Sequence, residues 1–250
     1  MQVTVNGSVN GGICLTFPGD FRVWVDFCPD FKTRLWEYIP DSDWEYIKKN
    51  TALFPPDVVL FTHCHPDHFS LERTEEILRT CPGTKVYAPP GEVFSASKGG
   101  FLSADSLPCE KISGDEVTET VGKLGIRFLR STHSGKEYAN ISHYSLFLTY
   151  EGKTVFISGD AALSDETLAE RLEFLHTDLA VMNFPWASLH SGRETLETSI
   201  QPSHVYLVHL PSEKEDVFGY RKAAENGAEL LNVPDVRLML TRFSEEIFTL

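Results

Sequence analysis

Apolar and polar positions alternate at Ile13–Phe17 and again at Phe21–Asp26, with Pro18-Gly19-Asp20 between them. Two alternating runs around a Pro-Gly turn predict an antiparallel hairpin. The pattern breaks over residues 28–56, where Trp36, Tyr38, Trp44 and Tyr46 sit among prolines and charges. That stretch reads as an irregular or helical insertion. The continuous apolar run after Asp57, Val58-Val59-Leu60-Phe61, predicts a buried strand. Ser70 is placed to cap a helix from Leu71 to about Thr80, with Glu72 and Glu75 in its early turns, where the helix dipole favours anions. A short strand at Lys85–Ala88 follows, then a loop-rich stretch over 89–109 in which mobility is expected.

The second half changes rhythm. Ile126–Arg130 and His143–Tyr150 read as strands, and Glu151-Gly152-Lys153 turns the chain into Thr154–Ser158. Strand and helix then alternate: helix 165–175, strand 179–184, helix 193–200, strand 204–208, helix 213–226, and closing strands 236–240 and 246–250. Strands first and strand–helix alternation afterwards imply central sheets with helices outside. The 250 residues fit a single domain over 1–250 with a sizeable core, 42% of the chain being hydrophobic.

Charge narrows the partners. Acidic residues number 36 against 22 basic, a net charge of −14. Such a surface repels nucleic acid and anionic membranes at long range, yet leaves room for a local pocket for a small anion. The first residues lack the charged and apolar regions of a signal peptide, and no apolar run approaches the length of a membrane span. The five cysteines, Cys14, Cys28, Cys64, Cys81 and Cys109, have no paired spacing. They read as reduced and mostly buried, which places the protein in the cytoplasm. Oligomeric state is not legible.

The chemistry concentrates in Thr62-His63-Cys64-His65-Pro66-Asp67-His68, at the end of the predicted strand 57–61. Imidazoles and a carboxylate packed this densely are costly to desolvate unless a cation draws on them. In an extended segment, alternation sets His63, His65 and Asp67 on one side, with His68 turning back toward a second ion. Alternation also points Cys64 away as a packed thiol, although a soft-ligand role stays open. Further candidates end other β-type runs. His133 follows 126–130, Asp160 follows Val155-Phe156-Ile157-Ser158-Gly159, and His209 follows 204–208. Asp26 ends its strand either as a turn former or as an acceptor for a ligand imidazole.

With these residues in place, the chain resembles the metallo-β-lactamase-fold hydrolases. The resemblance rests on the HxHxDH motif at His63, His65, Asp67 and His68, then on His133, the Gly159-Asp160 pair, His209 and the earlier Val25-Asp26. It covers the chain from about Gly11 onward. It implies an α/β fold, an αββα sandwich of two mixed sheets packed face to face with helices outside. It also implies two divalent ions. His63, His65 and His133 would hold the first, Asp67, His68 and His209 the second, with Asp160 bridging. Zinc suits these donors first, then manganese or iron. A pair of ions about 3.5–4 Å apart shares a water or hydroxide and lowers its pKa. Asp67 would then orient that nucleophile or take its proton. His190, in Leu189-His190-Ser191-Gly192, looks like the His-plus-Ser/Thr segment of the lactonase and phosphodiesterase branches and is the candidate general acid.

His143 is the rival to His133 as third ligand, whereas His176 and His204 look structural or exposed. Arg22, Arg130, Lys136 and Arg193 are candidate anion partners, and Trp36, Trp44 and Trp186 wall a pocket or fill the core. The diiron redox branch usually carries Glu where His65 stands, and an added flavin domain, so both departures point to hydrolysis. The leading expectation is a dinuclear hydrolase of a small ester, lactone, thioester or phosphoester, nearest the ascorbate-6-phosphate lactonase-like branch. A phosphodiesterase or nuclease using His190 is the alternative. A non-catalytic metal-binding module is the third reading.

Overall fold

The computed structural model describes residues 1–95, 97–104, 107–172 and 175–250. The chain falls into two compact units, residues 1–113 with 241–249, and residues 114–240 with 250. In the first, chain order runs β1 (Gln2–Gly7), β2 (Ile13–Phe17), β3 (Phe21–Val25), α1 (Asp41–Lys49), β4 (Val58–Leu60), α2 (Leu71–Thr80) and β5 (Lys85–Ala88). It continues through β6 (Glu92–Ser95), β7 (Gly100–Ser103) and β8 (Glu110–Lys111). The second unit carries β9 (Glu116–Val121), β10 (Leu124–Ser131), β11 (His143–Tyr150), β12 (Lys153–Ile157), α3 (Glu166–Leu172) and β13 (Leu179–Asn183). After these come α4 (Pro185–Ser188), α5 (His190–Thr195), β14 (His204–Val208), α6 (Tyr220–Leu230) and β15 (Asp235–Leu238). The last strand, β16 (Glu245–Thr249), belongs to the first unit.

Each unit holds one seven-stranded sheet, ordered β16-β1-β2-β3-β4-β5-β8 and β15-β14-β13-β12-β11-β10-β9. Both are mixed. In the first, β16, β1, β2 and β3 pair antiparallel, while β3, β4, β5 and β8 run parallel. In the second, β9 to β12 are antiparallel and β12 to β15 parallel. The architecture is α/β, with one mixed sheet and its helices in each unit.

Helices cover one face of each sheet. Trp44 and Ile47 of α1 and Leu71 and Ile77 of α2 join Trp24, Val59, Phe61 and Val86 in one core. Leu168 and Leu172 of α3 and Trp186 of α4 join Phe156, Ala180, Met182 and Leu207 in the other. The expected cap is present: Ser70 Oγ accepts from Arg73 N at 3.1 Å. Arg73 is itself buried and secures the irregular stretch before α1. Its Nη1 donates to Pro29 O at 2.9 Å, its Nη2 donates to Ile39 O, and its guanidinium lies 5.1 Å from the Trp44 ring centroid.

The structure corrects several expected elements. The 89–109 stretch is no plain loop, because β6 and β7 pair as a hairpin; residues 96, 105 and 106 within it lie outside the described residues. The helix expected over 165–175 is seen from Glu166 to Leu172, and residues 173 and 174 lie outside the described residues. Helix 193–200 is α5 passing into a π-helical turn at Leu196–Ile200. Helix 213–226 starts late, at Tyr220. Gly219 takes φ 73°, and both Asp216 carboxylate oxygens accept from the first helical amides, Tyr220 N at 2.8 Å and Arg221 N at 3.0 Å. Side-chain acceptors for the orphan amides of a first turn define a helix start. Strands β1 and β9 were not foreseen.

Two consequences are testable. A methyl group on Gly227 of α6 would stand 2.4 Å from Ala187 O of α4. Gly227→Ala should therefore cost about 1–3 kcal/mol through overpacking, read from urea unfolding; a wild-type midpoint would contradict this contact. Burial also pushes the thiols of Cys14 and Cys28 up to about 12, while Cys81 and Cys109 are half-buried. A disulfide reagent at about pH 8 should label Cys81 and Cys109 in the native protein and reach Cys14 and Cys28 only on unfolding.

Candidate metal centre

The candidate ligands stand at the carboxyl ends of parallel strands. Asp26 follows β3, the histidine-rich segment follows β4, Asp160 follows β12 and His209 follows β14. Open parallel sheets present their ligand-binding groups at this end. The backbone turns sharply at three of these points, with φ 49° at Asp26, 54° at Gly159 and 62° at His209. Left-handed backbone at non-glycine residues is uncommon and clusters at functional sites.

In the first unit, Asp26 organises the histidines. It is 1% exposed. Thr62 donates to it twice, from N to Oδ1 at 2.9 Å and from Oγ1 to Oδ2 at 2.6 Å. With its hydrogen committed there, Thr62 Oγ1 accepts from His63 Nδ1 at 3.0 Å. His68 Nδ1 donates to Asp26 Oδ2 at 2.9 Å. Both imidazoles thus carry a proton on Nδ1 and keep their lone pair on Nε2. The Asp26 side chain is both strand-end turn and acceptor for an imidazole.

The HxHxDH segment is not extended, as alternation expected. Strand β4 ends at Leu60, and His68 N and Phe69 N donate to His65 O at 3.0 and 2.9 Å in a tight turn. His63 Nε2 and His65 Nδ1 nevertheless face each other at 3.0 Å. Two imidazole nitrogens on one tetrahedral zinc, each roughly 2.0–2.1 Å from it, stand about 3.3 Å apart. The pair fits a shared cation. Asp67 is 6% exposed, with Oδ2 3.6 Å from His68 Nε2. Its carbonyl accepts from Asn10 Nδ2 at 3.0 Å, and Asn10 also exchanges hydrogen bonds with the Glu37 backbone. Asn10 thereby ties the insertion to the histidine-rich loop. Cys64 points away, packed in the core with Sγ donating to Pro89 O at 3.5 Å.

In the second unit, Asp160 lies between two imidazoles. Its Oδ2 is 3.6 Å from His133 Nε2 and its Oδ1 is 3.3 Å from His209 Nε2. His133 Nδ1 donates to Ser134 O at 2.6 Å, which places the ring's lone pair on Nε2. His143 offers no such nitrogen. Its Nε2 accepts from Asp160 N at 2.9 Å and its Nδ1 donates to Ser131 Oγ at 2.8 Å. It supports the Asp160 turn, with Ser145 bonded in turn to Ser131 and to Ser158 O.

Other candidates fall away from the chemistry. His190, at the start of α5, is 85% exposed with Glu194 3.9 Å away, a solvated i,i+4 pair, so the general-acid role has no support in this position. Trp44 and Trp186 are core residues rather than pocket walls, and Trp36 is half-buried. Arg22 and Arg193 bond to backbone carbonyls, while Arg130 and Lys136 are exposed. His204 pairs with Asp235 at 2.9 Å and His176 with Asp178 at 3.3 Å, both structural. Roles for Thr62, Asn10 and His143 were not legible in the sequence, although the position of Thr62 directly before His63 was a usable signal.

Residues 22–210 match the model of the Beta-lactamase superfamily domain. The chain belongs to this superfamily. No curated protein matches the sequence. Among solved structures, it is similar to Igni18, a metallo hydrolase from the archaeon Ignicoccus hospitalis, at 18% identity and TM-score 0.61 over 100% of both chains. It is also similar to CmlA, a diiron β-hydroxylase from Streptomyces venezuelae, at 13% identity and TM-score 0.64, over 99% of this chain and 54% of that one. Zinc-bound PqqB from Methylobacterium extorquens aligns at 12% identity and TM-score 0.56 over 100% of both. These likenesses establish the superfamily fold. They span a hydrolase and a hydroxylase, so the fold by itself does not select the reaction. Among the described residues, no helix is long and apolar enough to cross a membrane.

The Asp26 network yields a direct test. Asp26→Asn preserves shape but can present an amide N–H to His68, which unsettles the imidazole's tautomer. Metal affinity should fall about 10–100-fold, as removal of such supporting groups typically does. Cys64→Ser should leave metal content unchanged in the same titration.

Proposed function

We propose that this protein is a metal-dependent hydrolase of a small ester, lactone, thioester or phosphoester, working with two divalent ions. In this reading His63, His65 and His133 hold one ion, Asp67, His68 and His209 hold the other, and Asp160 bridges them. The observation that carries it is the division of the Asp160 carboxylate, one oxygen toward the His133 imidazole and the other toward that of His209. A carboxylate that merely neutralises a neighbour needs one partner. One that presents an oxygen to each of two imidazole nitrogens supports a bridging role.

The donor set supports zinc first, since imidazole and carboxylate mixtures suit it, with manganese or iron next. Ions so held would supply a water of lowered pKa and polarise the bond under attack. The protein's own part is positional. Asp26 and Thr62 fix the His63 and His68 tautomers, and Ser134 fixes that of His133. Asp67, anchored through its carbonyl by Asn10, orients the attacking water or takes its proton. The likeness to a diiron hydroxylase makes iron-dependent oxidation of a substrate the competing chemistry, and metal identity separates the two.

Metal analysis of protein purified without chelators should give about two ions per chain, chiefly zinc. Zinc-loaded protein should hydrolyse at least one member of a panel of lactones, thioesters and bis-p-nitrophenyl phosphate. Asp160→Ala should abolish that turnover, a loss of three orders of magnitude or more being about 4 kcal/mol of transition-state stabilisation. Protein that retains iron and ignores the whole panel would contradict hydrolysis.

A further inference from the structure

Asn183 is an unassigned polar residue at the strand tips of the second unit. It ends β13, between β12 and β14. Register pairs Asn183 with Val208, the residue before His209, and its N–H donates to Ser158 Oγ at 3.1 Å, two residues before Asp160. Ala180 and Met182 face the helix-covered core, so alternation turns the Asn183 side chain to the opposite face. The residue is 7% exposed. Its Oδ1 is sealed from solvent and has no hydrogen-bond partner among the described residues, whereas Nδ2 is not stranded in this way.

A buried amide carbonyl left without a donor is destabilising, and an apolar side chain of the same volume would avoid that loss. Asparagine at this point therefore calls for a role outside the packing. With the carbonyl turned inward, the group left to meet a ligand is the amide N–H2. It is a neutral donor among strand ends that otherwise bear a carboxylate and an imidazole. A substrate oxygen carrying or gaining negative charge is repelled by Asp160, and a donor beside it offsets that repulsion.

We propose that Asn183 is a substrate-binding residue whose Nδ2 donates a hydrogen bond to a phosphoryl or carboxyl oxygen held near Asp160 and His209. The substrate is thereby one that presents an oxyanion. This inference rests on the metal-dependent reading above and narrows its substrate class.

The test uses full-length, zinc-loaded protein and inorganic phosphate as the probe, with Asn183→Leu and Asn183→Asp compared with wild type by calorimetry and thermal melting. Both variants should hold as much zinc as wild type. Phosphate should bind at least tenfold more weakly to Asn183→Leu, and more weakly still to Asn183→Asp, which replaces the donor with an acceptor. Asn183→Leu should melt at or above the wild-type temperature, because the stranded carbonyl is gone. Unchanged phosphate affinity in Asn183→Leu overturns the proposal, as does zinc-loaded wild type that binds no phosphate. A lower melting temperature for Asn183→Leu makes the residue structural, and loss of zinc makes it a metal ligand; either result overturns it. Wild type that takes up no zinc is detected before phosphate is added, and sinks the metal reading itself.

Discussion

A carboxylate sealed from water is tolerated when every lone pair it uses is met by a donor. Asp26 meets that condition with Thr62 and His68, and the consequences spread through the first unit. Thr62, having given its hydrogen to Asp26, becomes the acceptor for His63. One buried anion thus sets the protonated nitrogen of two imidazoles and keeps the lone pair on the opposite nitrogen of each. Without it, the close approach of His63 to His65 would have no fixed electronic meaning. The orientation of these histidines is set by hydrogen bonds of the protein itself.

The same logic appears in the second unit with different parts. There the turn after β12 is held by His143, which accepts from the Asp160 amide and is itself held by Ser131. The loop before β11 is stitched to that turn, Ser134 N donating to Asp160 O at 2.8 Å and Ala162 N to Thr132 O at 2.8 Å. Rigid strands stop, the backbone bends through left-handed conformations, and polar side chains emerge where the sheet no longer needs them for packing. Helices packed on one face of each sheet supply the apolar burial that offsets this concentration of polar groups.

Much of this arrangement is written locally and was therefore legible. The HxHxDH segment, Asp160 after its glycine and His209 after an apolar run announce themselves by residue type at strand ends. Helix Leu71–Thr80 follows from its Ser70 cap. What was not legible depends on partners distant in sequence. His143 and His133 differ little as neighbouring histidines; only the tertiary bonds to Ser131 and Asp160 show that both ring nitrogens of His143 are committed within the protein. His190 has the right local company for an acid, yet α5 carries it into solvent. Trp44 and Trp186 read equally well as pocket wall or core until burial decides. The late start of α6 was hidden because Asp216 caps it across a glycine rather than from the adjacent position.

The central claim is that Asp160 spans two cations. Anomalous diffraction at the zinc edge on crystals of the zinc-loaded protein addresses it most directly. Two peaks about 3.5–4 Å apart, one beside each Asp160 oxygen, are predicted. A single peak bound to one oxygen, or no peak near Asp160 at saturating zinc, would contradict the account.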